Sequence, residues 1–347
     1  MNEPATRGEA PRRATLRDVA QAAGVSQSTT SRALSGEGYV AADVRNRVAQ
    51  AAEELGYVAH AMARSLRKQD SRTIGVLVSD LRNTFYADFA AGIAARARRH
   101  GYTMLLVDDQ GSTEAELDAA EAFVATRVAG VIVTPLSGAV SGYLSRQRIP
   151  VVEADRRFSD GSCDAVIIDN AGVARRMTDH LIALGHRRIA LFIDETNWTT
   201  GGERVAGFRA ALEQSDIPPD PSLIVTAGWD AASARTVAID VLARRDHPTA
   251  IFAANNVLAE GVWRATSDLG LRIPQHVSIV SFDDSQWMSM VTPGITSVVQ
   301  DAVALGEAAV DRLLVRISDA DAEPTTTVLE AQVRPRGSTA APQSAST

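Results

Sequence analysis

Apolar positions along the chain change their period near residue 72, and that change divides the sequence. Leu16, Val19, Ala20 and Ala23 share one face of a first helix. Thr15 can cap it, with Asp18 closing a capping box in place of the usual Glu. Gly24 supplies the positive φ that ends it, Val25 can tuck between helices, and Ser26 is a second N-cap, so a new helix starts at Gln27. Two short helices around a tight glycine turn are the signature of a helix-turn-helix. A third helix places Val44, Val48, Ala51 or Ala52, and Leu55 on one face, with Gly56 at its end, and closes a three-helix core. Residues 59–66 read as a further short helix whose apolar tip, Leu66, is flanked by Arg64, Arg67 and Lys68.

From Thr73 the pattern becomes strand–helix alternation. Strand-like apolar runs lie at 74–78, 104–107, 131–133, 151–152, 166–168, 189–193, 223–225, 250–253 and 277–280, with helical stretches between most of them, for example 86–99, 114–126, 171–184, 203–213, 231–244 and 257–269. Such alternation predicts parallel sheets covered by helices on both faces. This many strands fits two sheets of similar size better than one. The fold class is an α/β unit of two parallel-sheet subdomains, preceded by an all-α helix-turn-helix domain.

Ligands in such sheets bind at the carboxyl ends of the strands, and those ends carry a consistent polar set. Ser79, Asp80, Asn83, Phe85 and Tyr86 follow the first run, and Asp155 and Arg156 follow the one at 151. A loop with Asn197, Trp198, Thr199 and Thr200 precedes Arg204 on the next helix. Trp229 follows the run at 223, Asn255 and Asn256 that at 250, and Asp283, Asp284 and Trp287 that at 277; Gln300 ends Thr-Ser-Val-Val-Gln. This is the chemistry of a polyol site: carboxylates accept from hydroxyls, Arg donates, amides do both, and Trp198, Trp229 and Trp287 can stack on a ring. Arg156 and Arg204 can also hold a phosphate or carboxylate. A turn or cap role explains any single Asp or Asn of this set; seven loops in agreement argue for a site.

The helix from Gln27 carries Gln27, Ser28, Thr29, Thr30, Ser31 and Arg32 in a row. A solvent face usually carries Glu and Lys; short hydroxyls with Gln and Arg suit phosphate oxygens and base edges. The first residues of a recognition helix enter the major groove, which places Gln27 and Ser28 at base edges and Arg32 at a base or phosphate. An apolar tip among basic residues, such as Leu66, can wedge between base steps in the minor groove. The net charge of −7 runs against a nucleic-acid partner until its distribution is read: residues 1–72 hold 11 basic and 8 acidic side chains, the remainder 24 and 34. The basic footprint is confined to the first segment, and with Lys68 the only lysine, Arg, hydroxyls and amides must serve the phosphates.

The first segment closely resembles the DNA-binding domain of the LacI family (lac repressor family) of bacterial transcription regulators. The matching residues are Thr-Leu-Arg-Asp-Val-Ala at 15–20, Ala-Gly-Val-Ser at 23–26, Thr-x-Ser-Arg at 29–32, Glu-Leu-Gly-Tyr at 54–57 and Ala-Arg-Ser-Leu at 63–66. The resemblance continues to about Ser338: Asn-Thr-Phe-Tyr at 83–86, Asp-Arg at 155–156, Arg-Val-Ala-Gly-Phe at 204–208, Ala-Asn-Asn at 254–256, Phe-Asp-Asp at 282–284 and Gln300 match positions shared with periplasmic sugar-binding proteins. It implies double-stranded operator DNA as partner, with Thr15, Ser26, Gln27, Ser28, Thr29, Ser31, Arg32, Tyr39, Ala63 and Leu66 at the DNA. It implies a small-molecule effector, a carbohydrate first and a nucleobase or nucleoside as the alternative. The effector would be held by Asp80, Asn83, Phe85, Tyr86, Asp155, Arg156, Trp198, Arg204, Trp229, Asn255, Asp283 and Gln300. A homodimer, or a dimer of dimers, would read a roughly palindromic site. The domain order that follows is a disordered arm (1–13), the helix-turn-helix domain (14–58), hinge helix and linker (59–72), an effector domain (73–338) and a tail (339–347). Within the effector domain, 73–171 plus 301–328 form one subdomain and 172–300 plus 329–338 the other. The chain departs from the family where Thr30 replaces Val, Thr84 replaces Pro, Asn256 replaces Asp, and Ala59-His60 replaces Pro-Asn.

Rival classes find less in the residues. Gly-Glu-Gly-Tyr-Val-Ala at 36–41 follows a helix rather than a strand, the wrong context for a dinucleotide fingerprint. His180 and His186 lack acidic or Cys companions, and the single Cys163 precludes a disulfide framework or Cys-rich zinc site. No cofactor or metal is expected. Asp108-Asp109 and Asp283-Asp284 are strand neighbours that point to opposite faces, unlike the paired acids of a glycosidase, so no enzyme is expected. A secreted sugar-binding module would need a signal sequence, and residues 1–13 have no apolar core; with no apolar run of membrane-spanning length, the expected location is the cytoplasm.

Overall fold

The computed structural model describes residues 14–36, 38–57, 71–158 and 161–343. The chain forms two compact units, one ending at Ser71 and one beginning at Arg72.

The first unit holds α1 (Leu16–Ala23), α2 (Gln27–Ser35) and α3 (Ala42–Glu54). The Thr15 side chain accepts from the Asp18 N–H, and the Asp18 carboxylate accepts from the Thr15 N–H at 2.7 Å, so the capping box forms with Asp as its acid. Gly24 ends α1 at φ 66°, and Ser26 caps α2 by accepting from the Thr29 N–H at 3.1 Å. Val19, Ala23, Ala33, Val48, Ala51 and Ala52 form the core, with Val25 and Val44 packed against it. Leu55 is 41% exposed at the C-cap of α3 and does not join this core as its spacing suggests. Thr30 is fully buried, and its hydroxyl donates to the Ser26 carbonyl at 3.0 Å. That back-bond to i−4 is how a Thr fits an apolar position inside a helix. Ala59-His60, Ala63 and Leu66 lie outside the described residues.

The second unit contains two six-stranded sheets among the described residues. The first is built from β1 (Thr73–Val78), β2 (Thr103–Asp108), β3 (Val131–Val133), β4 (Val151–Ala154), β5 (Asp164–Ile168) and β11 (Thr326–Leu329), in the order β11-β5-β4-β3-β1-β2. All its pairings are parallel. One face is covered by α4 (Thr84–Arg99) and α12 (Ala302–Ser318), the other by α5 (Thr113–Thr126) and α6 (Gly138–Arg146). Helices α4 and α12 approach closely because Gly92 and Gly306 face each other's backbones; a Cβ on Gly92 would lie 2.3 Å from the Val303 carbonyl oxygen.

The second sheet comprises β6 (Ile189–Ile193), β7 (Ile224–Thr226), β8 (Ala250–Ala253), β9 (Ser278–Ser281), β10 (Thr296–Gln300) and β12 (Ala331–Arg334), in the order β12-β10-β9-β8-β6-β7. It departs from the all-parallel expectation at one edge, where β12 runs antiparallel to β10. Its faces are covered by α7 (Asn170–Ala183) with α8 (Thr199–Gln214), and by α9 (Ala231–Leu242) with α10 (Asn256–Asp268) and the short α11 (Trp287–Met290). The chain passes between the sheets after β5, after β10 and between β11 and β12. Thr199 and Thr200, expected in a loop, form the first turn of α8. Among the described residues no helix is long and apolar enough to cross a membrane.

Candidate functional site

The carboxyl ends of β1, β4, β6, β8, β9 and β10 converge on one cavity between the two sheets. It spans about 540 Å³ of space, part of it open to solvent. Eleven of the twelve residues expected at an effector line it: Asp80, Asn83, Phe85, Tyr86, Asp155, Arg156, Arg204, Trp229, Asn255, Asp283 and Gln300. Ser79, Asp194, Thr200 and Val257 complete the wall. Asp194 had a readable signal, since it is the first residue past β6, where the strand-end rule places ligand groups.

Two carboxylates form the floor. Asp155 and Asp283 are each 7% exposed, and each holds a left-handed backbone at φ 64°. Such conformations are uncommon outside glycine and cluster at functional sites. The twist aims Asp283 into the cavity, where the Gln300 amide donates to it in a short hydrogen bond. Its neighbour Asp284 turns away to Arg334 and Arg336. Burial pushes the Asp283 carboxyl up to about 6, with Arg204 and Gln300 opposing. Burial also raises Asp155, against the pull of Arg156 and Arg204.

Both guanidiniums donate twice to the protein and stack on an aromatic ring. Arg156 donates from Nη1 to Ser79 Oγ at 2.9 Å and from Nη2 to the Tyr86 hydroxyl at 2.6 Å, and its plane lies 3.9 Å over the Trp198 ring. Arg204 donates from Nε to Asn170 Oδ1 at 3.0 Å and from Nη1 to the Ala254 carbonyl at 2.6 Å, and stacks on Phe282 at 3.6 Å. Each guanidinium retains N–H groups beyond these, and Arg156 Nε is buried without a hydrogen-bond partner.

The tryptophans divide. Trp198 is buried, with one face against Arg156 and its ring edge-on to Trp229 at 4.3 Å; it is a wall behind the cavity lining. Trp229 is 44% exposed and rests against Gly111 of the opposite subdomain. Trp287 does not reach the cleft: it packs on Trp263 at 5.9 Å, under the far face of its sheet.

Behind this wall Asp109 is buried, with Oδ1 accepting from the Gly111 N–H at 2.8 Å and Oδ2 without a partner. Burial pushes its carboxyl up to about 7. A carboxyl raised by folding binds its proton more tightly in the native state, so stability is fullest below the unfolded pKa and is lost as pH rises through the folded one. Asp109→Asn is therefore expected to be more stable than the parent at pH 8. It should also flatten the decline between pH 5 and 8, where one such group contributes at most ~1.4 kcal/mol per pH unit. Urea unfolding across that range measures both.

In the first unit, Gln27, Ser28 and Arg32 stand exposed on α2, and Tyr39 is 92% exposed. The hydroxyls of Thr15 and Ser26 are engaged in caps, and that of Thr29 lies 2.9 Å from Ser26 Oγ. They orient the helix whose start carries Gln27 and Ser28. Among the described residues no group of His, Cys, Asp and Glu could hold a metal ion.

Comparison with known proteins agrees with this geometry. Residues 15–60 match the bacterial regulatory proteins of the lacI family, and residues 178–339 match the periplasmic binding protein-like domain. The chain is 31% identical to the HTH-type transcriptional repressor PurR of Vibrio atlanticus, over 89% of this chain and 94% of that protein. It is 28% identical to the ribose operon repressor of Haemophilus influenzae, over 91% and 96%. The solved lac repressor dimer bound to operator and the anti-inducer ONPF superposes with a TM-score of 0.82 at 30% identity, covering 95% of this chain and all of that one. The chain belongs to the lacI family of bacterial regulatory proteins.

Proposed function

We propose that this regulator is a cytoplasmic repressor that binds double-stranded operator DNA as a homodimer through α1–α3, under control of an uncharged, hydroxyl-rich small molecule. The dimer and operator follow the lac repressor complex it resembles. The effector class rests on one observation. The cavity lining carries four carboxylates, Asp80, Asp155, Asp194 and Asp283, against two guanidiniums, Arg156 and Arg204, each of which already donates twice to protein acceptors. Sugar hydroxyls supply donors to such a wall; a phosphate adds charge where carboxylates already outnumber free cations. The name of the ribose operon repressor points the same way. A nucleobase or nucleoside is the second reading, favoured by the exposed ring of Trp229.

Thermal unfolding of the full chain against pentoses, hexoses, their phosphates, and free purine bases tests this. A bound ligand at about 100 times its Kd adds roughly 2.7 kcal/mol of stability. A neutral sugar is expected to do so and its phosphate not; stabilisation by sugar phosphates alone would overturn the charge argument, and by purines alone would select the second reading.

A further inference from the structure

Thr84 and Asn256, on the first turns of two helices, meet across the cleft. Asn256 opens α10 in one subdomain; Asn83 and Thr84 open α4 in the other. The Asn256 amide donates to Asn83 Oδ1 at 3.0 Å and to Ser285 Oγ at 2.8 Å, with Thr84 Oγ1 at 3.5 Å. Thr84 and Ser285 hydroxyls lie 3.3 Å apart. Asn256 is 5% and Ser285 6% exposed, so water competes poorly for these bonds. The orientation of Asn83 is fixed, because its Oδ1 also caps α4 by accepting from the Phe85 N–H at 3.1 Å. An acceptor held there requires a donor opposite, which Asn supplies and Asp does not.

We propose that Thr84 and Asn256 form a latch that shifts this chain's cleft toward the closed arrangement by its own side-chain bonds, whatever the cavity holds. Proline at 84 removes the hydroxyl, and aspartate at 256 turns the donor into a second acceptor facing Asn83. Both are Asn256 and Thr84 replacements a helix start tolerates: Pro fits the first helical position, Asn83 already has φ −78° and ψ 120° as a residue before proline needs, and a carboxylate is favourable at a helix N-terminus. The latch thus separates from the fold of either subdomain. Its consequence is regulatory. A cleft biased toward closure leaves less conformational change for an effector to drive.

The opposite rim offers a gauge that the substitutions do not touch. The Arg157 N–H donates across the cleft to Thr199 Oγ1 at 3.1 Å, so its exchange with solvent reports opening. Native-state hydrogen exchange on the effector-free full chain compares the parent with the Thr84→Pro/Asn256→Asp double variant. The Arg157 amide is expected to exchange roughly fivefold faster in the variant, the effect of about two net hydrogen bonds at the low end of their range. Amides within β3 keep the parent rate. An unchanged Arg157 rate, or equal acceleration of Arg157 and β3, would overturn the latch. Thr84→Val, which removes only the hydroxyl, gives the same reading with a smaller shift should the double variant fold poorly. The experiment uses no effector, so its failure leaves the proposed effector class untouched.

Discussion

Arg204→Met lowers effector affinity by at least about 30-fold, while operator binding without effector stays near the parent value. Arg204 is 6% exposed; it opposes the rise of Asp283 and, after Arg156, that of Asp155. Without it the two carboxyls take up protons more readily and become poorer acceptors for hydroxyls. Truncating one partner of a buried charge network costs about 2–5 kcal/mol, which is the source of the expected loss. Met puts an apolar thioether where the guanidinium stacks on Phe282, so the main structural cost is the unpaired Asn170 side chain and Ala254 carbonyl, about 1–3 kcal/mol. Titration calorimetry with the sugar found in the thermal screen measures the affinity, and circular dichroism shows whether the variant is folded. A folded variant with parental affinity would remove Arg204 from the effector site.

Gln27→Ala is expected to weaken specific operator binding by about 5- to 150-fold, the 1–3 kcal/mol carried by a bidentate base contact. Binding to random duplex should not change, because Gln27 bears no charge and releases no counterions. Gln27 is the first residue of α2 and exposed, and its own hydrogen-bond groups are not needed by the cap, which Ser26 provides. Fluorescence anisotropy with an operator selected from random oligonucleotides, and with a scrambled duplex, separates the two affinities. Equal loss on both duplexes would mean that Gln27 supports the helix rather than reads a base.

Local chemistry made much of this molecule legible. Thr15, Asp18, Gly24 and Ser26 determine where α1 and α2 start and stop, because caps act within four residues. The strand ends were readable for the same reason: a parallel sheet delivers its ligand groups at one edge, whatever the loops do. What escaped depends on side-chain direction or on distant partners. Asp283 and Asp284 are equivalent in sequence; the left-handed backbone at 283 sends one into the cleft and leaves the other to Arg334 and Arg336. Trp287 follows a strand end like Trp229 but sits on a short helix that turns it onto Trp263. Leu55 keeps helical spacing with the core yet falls at the cap, where the helix ceases to hold its face inward. The antiparallel β12 is a four-residue edge strand placed by its pairing with β10, a contact no local pattern encodes.

These placements also explain why the two halves of the site need each other. Tyr86 and Arg156 come from the first sheet's side of the cleft, Arg204, Asn255 and Asp283 from the second. A ligand touching both sets stabilises one relative arrangement of the subdomains, and by linkage anything else sensitive to that arrangement responds by the same factor.

The coupling itself is the most direct test. Operator affinity of the full chain would be measured by anisotropy across a titration of the sugar identified by unfolding, with effector affinity measured in parallel on free and operator-bound protein. Control of DNA binding from the cleft predicts that the sugar changes operator affinity, that operator changes sugar affinity by the same factor, and that Arg204→Met removes both effects. A sugar that binds the cleft tightly while operator affinity stays constant would contradict the account.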